Sequence, residues 1–170
     1  MLRSPLALTA ALTACGYGFV RPDASGPVPA LTLGPIRDLT PEADLGLRVG
    51  RALRSALAAR DRPRLVSADE GAPRLEGQVA LRPERTIGFD AHGAAFELRL
   101  HGELQLVASG ASTPWPLWSS GDVERRAVYA RGADPVASDA NRRLALEHLT
   151  DELTRALLAR LLQSPELSPP

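Results

Sequence analysis

The sequence contains one cysteine, Cys15, and no lysine, so its 20 Lys+Arg residues are all arginines. A single thiol cannot form a disulfide within the monomer. The absence of lysine excludes Schiff-base chemistry, phosphate-binding-loop lysines and Ser-x-x-Lys pairs. Aromatic residues make up only 4% of the chain. The apolar run at residues 6–14 is shorter than the roughly 20 residues that a membrane-spanning helix needs.

Charge and histidine content exclude several further functions. The formal net charge is +0, so no global basic field is available to hold nucleic acid. The three histidines, His92, His101 and His148, do not form a His-Glu-x-x-His pattern, and we predict neither a metal site nor a cofactor. There is no Gly-x-Ser-x-Gly elbow. We therefore predict a protein that is not an enzyme; a lipid-anchored hydrolase is an alternative for which the sequence offers no catalytic cluster.

The segment around Cys15 indicates where the protein resides. Arg3 is followed by a short apolar segment and then by Leu12-Thr13-Ala14-Cys15. A positive charge, a short apolar run and small residues before a cleavage point are typical of a secretory signal peptide. The segment also resembles the lipobox of bacterial lipoproteins, and that resemblance implies cleavage before Cys15 and acylation of Cys15. An ordinary cleaved signal with an incidental cysteine is the alternative.

Composition divides the chain into four parts. Residues 1–14 form the predicted signal peptide, and residues 15–29, rich in glycine and proline, form a lipidated tether. Residues 30–162 are long enough for one folded domain. Residues 163–170 contain three prolines, and we expect this tail to be disordered.

Hydrophobic periodicity predicts strands and two helices in residues 30–162. Gly34-Pro35 should end the first strand, Thr40 should cap the first helix, and Pro83–Gly93 should be a connection between two long strands. Ser138 or Asp139 should cap the second helix. The predicted strands are 30–33, 64–67, 75–81, 96–106 and a less regular one within 115–129, centred on 123–129, and the predicted helices are 41–60 and 134–162.

Each strand carries one apolar face and each helix one apolar stripe. The fold class that satisfies both is α+β: a two-layer sandwich in which two helices cover one face of a roughly four-stranded mixed or antiparallel sheet. The other face should then be polar and should meet water or a partner. Its predicted members are Glu76, Gln78, Glu97, Arg99, His101, Glu103 and Gln105.

Tryptophans and arginines are the candidate binding residues. Trp115 and Trp118 form the one aromatic cluster, which suits either core packing or a partner interface. Arg82, Arg85, Arg125 and Arg126 lie near predicted turns, and guanidinium groups suit phosphates. A merely solvated surface is the alternative for each of these arginines.

Four features together resemble a known family. They are the lipobox followed by Cys15-Gly16-Tyr17-Gly18-Phe19, a helix after Thr40-Pro41-Glu42, a hairpin strand with Phe96-Glu97-Leu98-Arg99-Leu100, and the segment 134–143 before the last helix. This pattern is similar to that of the lipopolysaccharide-assembly lipoproteins of the LptE family, in a divergent form.

The resemblance implies a set of expectations about function. It implies an acylated protein on the periplasmic side of the outer membrane that plugs a large β-barrel, an LptD-like partner, and assists lipopolysaccharide transport. We expect Arg99, Trp115 and Trp118 to contact the barrel, and Arg85 and Arg125 to contact lipopolysaccharide. An auxiliary lipoprotein of an ABC-type lipid transporter is the alternative function.

Overall fold

The computed structural model describes residues 30–42, 44–60, 63–67, 72–93, 95–110, 116–132 and 134–164. These residues form six strands and two helices. The elements are β1 (Ala30–Asp38), α1 (Leu45–Ala58), β2 (Arg64–Leu65), β3 (Arg74–Phe89), β4 (Ala95–Ser109), β5 (Pro116–Ser119), β6 (Val123–Ala130) and α2 (Pro135–Leu162).

One mixed sheet contains all six described strands in the order β2-β1-β3-β4-β5, with β6 also paired to β4. β1 is parallel to β2 and β3, and the other pairs are antiparallel. The prediction of roughly four strands was therefore too low. The stretch 115–129, predicted to supply one strand, includes β5 and all but the last residue of β6, and these two strands pair with successive parts of β4. The predicted antiparallel hairpin of two long strands is confirmed as β3 and β4.

Both helices cover the same face of the sheet, as predicted. The stripe of α1 formed by Leu45, Val49, Leu53 and Leu57 packs in one cluster with the buried residues of α2. The sheet contributes buried residues of β3 and β4 to the same cluster, among them Leu75, Val79, Leu98, Leu104 and Leu106. The α+β class and the single core are thus confirmed.

Two prolines that were expected to lie beyond the ends of strands lie inside strands. Between Leu33 and Ile36, β1 has one residue more than β3, and between Arg82 and Arg85, β3 has one residue more than β4. These are β-bulges, where a proline is tolerated because the ladder does not require its missing N–H. The prediction that Gly34-Pro35 ends β1 was therefore wrong, and the predicted connection Pro83–Gly93 was wrong for residues 83–89, which belong to β3.

The first helix begins later than predicted. Thr40 does not cap it; the backbone N–H of Gly46 donates to Asp38 at 2.9 Å, at the end of β1. Thr40 also donates to Asp38, from its N–H at 2.9 Å and its hydroxyl at 2.6 Å. Burial raises the pKa of Asp38, but these hydrogen bonds outweigh it and lower the pKa below its usual value.

The second helix matches its predicted range to within one residue, but its cap differs. Asp134 is the N-cap, and its side chain accepts a 2.8 Å hydrogen bond from the N–H of Ala137. The predicted caps, Ser138 and Asp139, lie inside the helix because Pro135 occupies its first turn. No helix among the described residues is both long and apolar enough to cross a membrane.

Several predictions fall on residues that the structure does not describe. They are the signal peptide, the acylation of Cys15, the tether, the role of Trp115 and residues 165–170 of the tail.

Candidate functional site: the open face of the sheet

The open face is the side of β3, β4 and β6 that the helices leave uncovered. Residues of β4 alternate between the two faces, so Leu98, Leu104 and Leu106 are buried under the helices while the residues between them face outwards. The polar face predicted from the sequence is thereby confirmed for β4. The polar side chains of the open face are Glu76, Gln78, Arg82, Arg85, Glu97, Arg99, His101, Glu103, Gln105, Glu124 and Arg126.

The bulge at Pro83 determines which charges reach this face. Arg82 pairs with His101 and Arg85 pairs with Arg99 in the register of β3 and β4. Side chains three residues apart on a regular strand would point to opposite faces. Because the bulge inserts one extra residue, both arginines lie on the open face, whereas Glu84 between them lies on the helix side.

The centre of the open face is an ion-pair network. Arg82 binds the carboxylates of Glu103 and of Glu124, the latter at 3.3 Å, and His101 Nε2 lies 3.2 Å from Glu124. The hydrogen bond to Glu103 raises the pKa of Arg82, which keeps the guanidinium charged.

The same cluster has the composition of a metal site. The ligand-type atoms of His101, Glu103 and Glu124 lie within 4.8 Å of one another. Because Arg82 already binds both carboxylates, the ion-pair network accounts for their proximity, and we assign no metal to them.

Towards the turn that joins β3 to β4, the open face becomes cationic. A concavity of about 450 Å³ is lined by Arg82, Pro83, Glu84, Arg85, Arg99, His101 and Arg126. Among the described residues, Arg85, Arg99 and Arg126 have no carboxylate partner, unlike Arg82. Three guanidinium groups around one concavity suit an anion with several oxygens, such as a phosphate group.

The structure brings together some of the candidate residues and separates others. Arg85 and Arg99 form a cross-strand pair. Arg125 pairs with Gly102, whose added Cβ would meet Leu149 of α2, so Arg125 lies on the other side of the sheet. Trp118 is 5% exposed and belongs to the core, which agrees with the packing alternative.

Arg126 was named with Arg82, Arg85 and Arg125 as an arginine suited to phosphates, but only Arg85 and Arg125 were expected to contact lipopolysaccharide. It lies next to Arg125 in the chain, and only the register of β6 against β4, in which Arg126 pairs with His101, decides which of the two faces the concavity. Two adjacent arginines give no signal from the sequence about which side each occupies.

On the helix side, a second charged cluster holds the same part of β3 in place. Arg142 of α2 binds both carboxylate oxygens of Glu42, at 2.8 and 2.5 Å, and Glu84 at 2.5 Å. The hydroxyl of Tyr129 donates to Glu84 at 2.9 Å. The cluster therefore connects the bulge of β3 to β6, α2 and the segment before α1.

The groups in this cluster shift one another's pKa values. The hydrogen bonds from Arg142 lower the pKa of Glu42, and those to Glu42 and Glu84 raise the pKa of Arg142. Burial, followed by the hydrogen bond to Glu84, raises the pKa of Tyr129. Glu42, Arg142 and Tyr129 therefore keep their usual charge states at neutral pH.

Comparison with known proteins identifies the fold. The sequence matches no protein-family model and no curated protein. The structure is similar to rare lipoprotein B from Shewanella oneidensis, with a TM-score of 0.57, 16% identity, and coverage of 78% of this chain and 93% of the other. It is also similar to an uncharacterized lipoprotein B from Nitrosomonas europaea, with a TM-score of 0.57, 15% identity, and coverage of 78% and 81%. The chain thus shares a fold with bacterial lipoproteins.

Proposed function

We propose that the protein is an acylated outer-membrane lipoprotein that docks in a large β-barrel of the LptD type through its open face and assists lipopolysaccharide transport. Cys15 is the proposed acylation site, and the body lies on the periplasmic side. The LptE-like pattern of the sequence and the fold shared with lipoproteins support this proposal.

The observation that carries the proposal is the asymmetry of the sheet. One face is closed by two helices, while the other, three strands wide, is polar and uncovered by any described residue. A polar surface whose ion pairs form in contact with water is suited to docking in the hydrated lumen of a barrel, and it is less suited to docking against an apolar surface. The concavity lined by Arg85, Arg99 and Arg126, for which the described residues supply no carboxylate partner, adds an anion site on that face.

The first experiment tests docking. Tagged full-length protein is purified from detergent-solubilised membranes, and the proteins that co-purify are identified. We expect a stoichiometric large β-barrel, and we expect Arg85→Glu/Arg99→Glu to reduce its recovery about tenfold or more, because two charges on the contact surface are reversed.

The matched control is Arg51→Glu/Arg54→Glu, which makes the same change of net charge on the exposed side of α1. Equal recovery of the barrel with both double variants contradicts docking through the open face. Co-purification of an ABC-type transporter instead would replace the proposal with the transporter-auxiliary function.

A second experiment tests the contact with lipopolysaccharide. Because Arg85 and Arg125 lie on opposite sides of the sheet, each is changed to alanine alone and binding of purified lipopolysaccharide is measured. We expect Arg85→Ala to weaken binding, and we expect a further loss when Arg99→Ala is added. Unchanged binding by the Arg85→Ala/Arg99→Ala protein would remove the concavity from the proposal, and unchanged binding by Arg125→Ala would remove Arg125.

A further inference from the structure

The hairpin tip, residues 86–93 and 95–98 around the turn between β3 and β4, exposes three large apolar side chains. Phe89 is 62% exposed, Phe96 45% and Ile87 36%. Each lies within a few residues of the turn, in a chain that has three phenylalanines altogether. A cluster of exposed large apolar side chains at one place on the surface marks a contact with an apolar partner.

This tip is an ordered turn. Asp90 accepts a 2.9 Å hydrogen bond from the N–H of His92 through its side chain and a 3.0 Å bond from the N–H of Gly93 through its backbone carbonyl. Gly93 has a φ of 78°, which glycine adopts without strain. The ring of Phe96 lies over Gly88, where an added Cβ would be 3.0 Å from it. The apolar side chains are therefore presented by a defined turn.

The tip lies at the far end of the sheet from the start of β1. Thr32, near that start, pairs with Arg74 at the beginning of β3, and β3 then continues for 16 residues to Phe89. At about 3.3 Å per residue, the two ends of β3 are roughly 50 Å apart. A tether the length of residues 15–29 spans at most about 50 Å when extended, so an anchor at Cys15 and the hairpin tip can reach one bilayer.

The charges next to the tip are mainly positive. Arg85 and Arg99, which have no carboxylate partner among the described residues, form the last cross-strand pair before it. Asp90 and Glu97 are the acidic residues of the tip itself. Apolar side chains beside arginines are the arrangement that binds the headgroup region of an anionic membrane, where the rings enter the apolar boundary and the guanidinium groups meet phosphates.

We propose that the hairpin tip is a second membrane contact, in which Phe89, Phe96 and Ile87 enter the interface of a bilayer containing anionic phospholipid. The contact shares acylation of Cys15 with the proposed function but does not depend on docking in a barrel. When no barrel is present, the acylated protein is then held at the bilayer by the lipid near one end of the sheet and by the tip at the other.

The single cysteine makes a direct test practical. In a His92→Cys variant the new thiol is labelled with the environment-sensitive dye NBD, while acylation blocks Cys15. The acylated full-length protein is reconstituted in vesicles of phosphatidylcholine with about 30% phosphatidylglycerol, the anionic component to which arginines are attracted. We expect blue-shifted NBD emission that is two- to threefold stronger than that of the same protein in vesicles of phosphatidylcholine alone.

Two sets of variants in the labelled background identify the cause. Phe89→Ser/Phe96→Ser should abolish the shift, since each exposed ring contributes about tenfold to partitioning. Each of Arg85→Ala and Arg99→Ala should lower partitioning about fivefold in the anionic vesicles. The matched control Leu47→Ser/Leu144→Ser removes two similarly exposed apolar side chains elsewhere and should leave the shift unchanged.

Two results would overturn the inference. One is an NBD signal that is the same in both kinds of vesicle or that persists in Phe89→Ser/Phe96→Ser. The other is a shift that appears only after a purified outer-membrane barrel is added, because the tip would then bind a protein. Since the vesicles contain no barrel, this assay is independent of the docking experiment.

Discussion

Arg142 connects parts of the chain that are far apart in sequence. Its partners Glu42 and Glu84 are 100 and 58 residues away. Its side chain is 26% exposed, and those of Glu42 and Glu84 are similarly shielded, so these pairs are less screened than the exposed ion pairs elsewhere. Sequence reasoning placed Arg142 in a characteristic segment before the last helix but had no means of identifying its partners, because long-range pairs leave no local pattern.

Replacing Arg142 should therefore destabilise the fold. Arg142→Met leaves the shielded carboxylates of Glu42 and Glu84 without their shared cation, and we expect the free energy of unfolding to fall by about 2 kcal/mol. Urea denaturation at neutral pH measures the change. Arg143→Met is the control, since Arg143 pairs with Asp139 on the exposed surface of the same helix, and it should cost less than about 0.5 kcal/mol. Equal costs would contradict the role assigned to Arg142.

The lowered pKa of Glu42 predicts a pH dependence. Its carboxyl group is deprotonated more readily in the folded than in the unfolded state, so its stabilisation is complete above the unfolded pKa and is lost as pH falls through the folded pKa. The difference in unfolding free energy between the wild type and Glu42→Gln should be largest near about pH 6 and shrink towards about pH 3. Urea titrations across this range measure it, and a difference independent of pH would rule out the ion pair as its source.

Among the secondary-structure elements, the strands that contain prolines were the ones whose ends were predicted least accurately. Alternating apolar residues identified β3 and β4, and the helical stripe located α2. Pro35 and Pro83 were interpreted as strand ends because proline cannot donate to a ladder. Both lie at bulges, where no donor is required, and a bulge depends on the neighbouring strand. Its presence therefore has no signature in the bulged strand alone.

Deleting Pro83 should cost far less than deleting a residue from a regular part of β3. Without the extra residue, Glu84 and Arg85 follow Arg82 in regular alternation, so Glu84 stays on the helix side and Arg85 stays on the open face. We expect the free energy of unfolding to fall by less than about 1 kcal/mol. Deleting Gln78 instead, where β3 and β4 pair regularly, would put one part of β3 on the wrong faces, and we expect a loss of about 3 kcal/mol or more. Urea denaturation of the two proteins checks this prediction, and similar midpoints would contradict the assignment of the extra residue to Pro83.

The protein has one hydrophobic core, and the sequence predicted that single core. Apolar stripes on two helices and apolar faces on the strands allow one economical two-layer arrangement. The number of strands did not follow, because β5 has four residues, too few for a recognisable period, and was not separated from β6. The order of the strands did not follow either, because pairing between distant strands leaves no local pattern. The same uncertainty in register hid the choice between Arg125 and Arg126 in the candidate site.

A single core predicts cooperative unfolding. Leu153 is fully buried in α2, and Leu153→Ala should lower the free energy of unfolding by about 2–5 kcal/mol. Trp118 lies in the same core, so tryptophan fluorescence and far-UV circular dichroism should give coincident urea transitions in both proteins. The control Leu144→Ala, on the exposed side of α2, should change stability by less than about 0.5 kcal/mol. Separate transitions for the two probes would show that the helices and sheet unfold independently.

The bulge at Pro83 also affects which residues of this protein correspond to which residues of its distant structural neighbours in an alignment. In a relative whose corresponding strand is regular, an alignment without a gap would equate side chains on opposite faces beyond this point of the strand. The alignment would then pair arginines on the open face of this protein with residues that lie under the helices of the relative, even where both proteins carry the same charges on the open face. Evolutionary comparison of this surface therefore requires a one-residue gap at Pro83, positioned from the backbone rather than from sequence similarity.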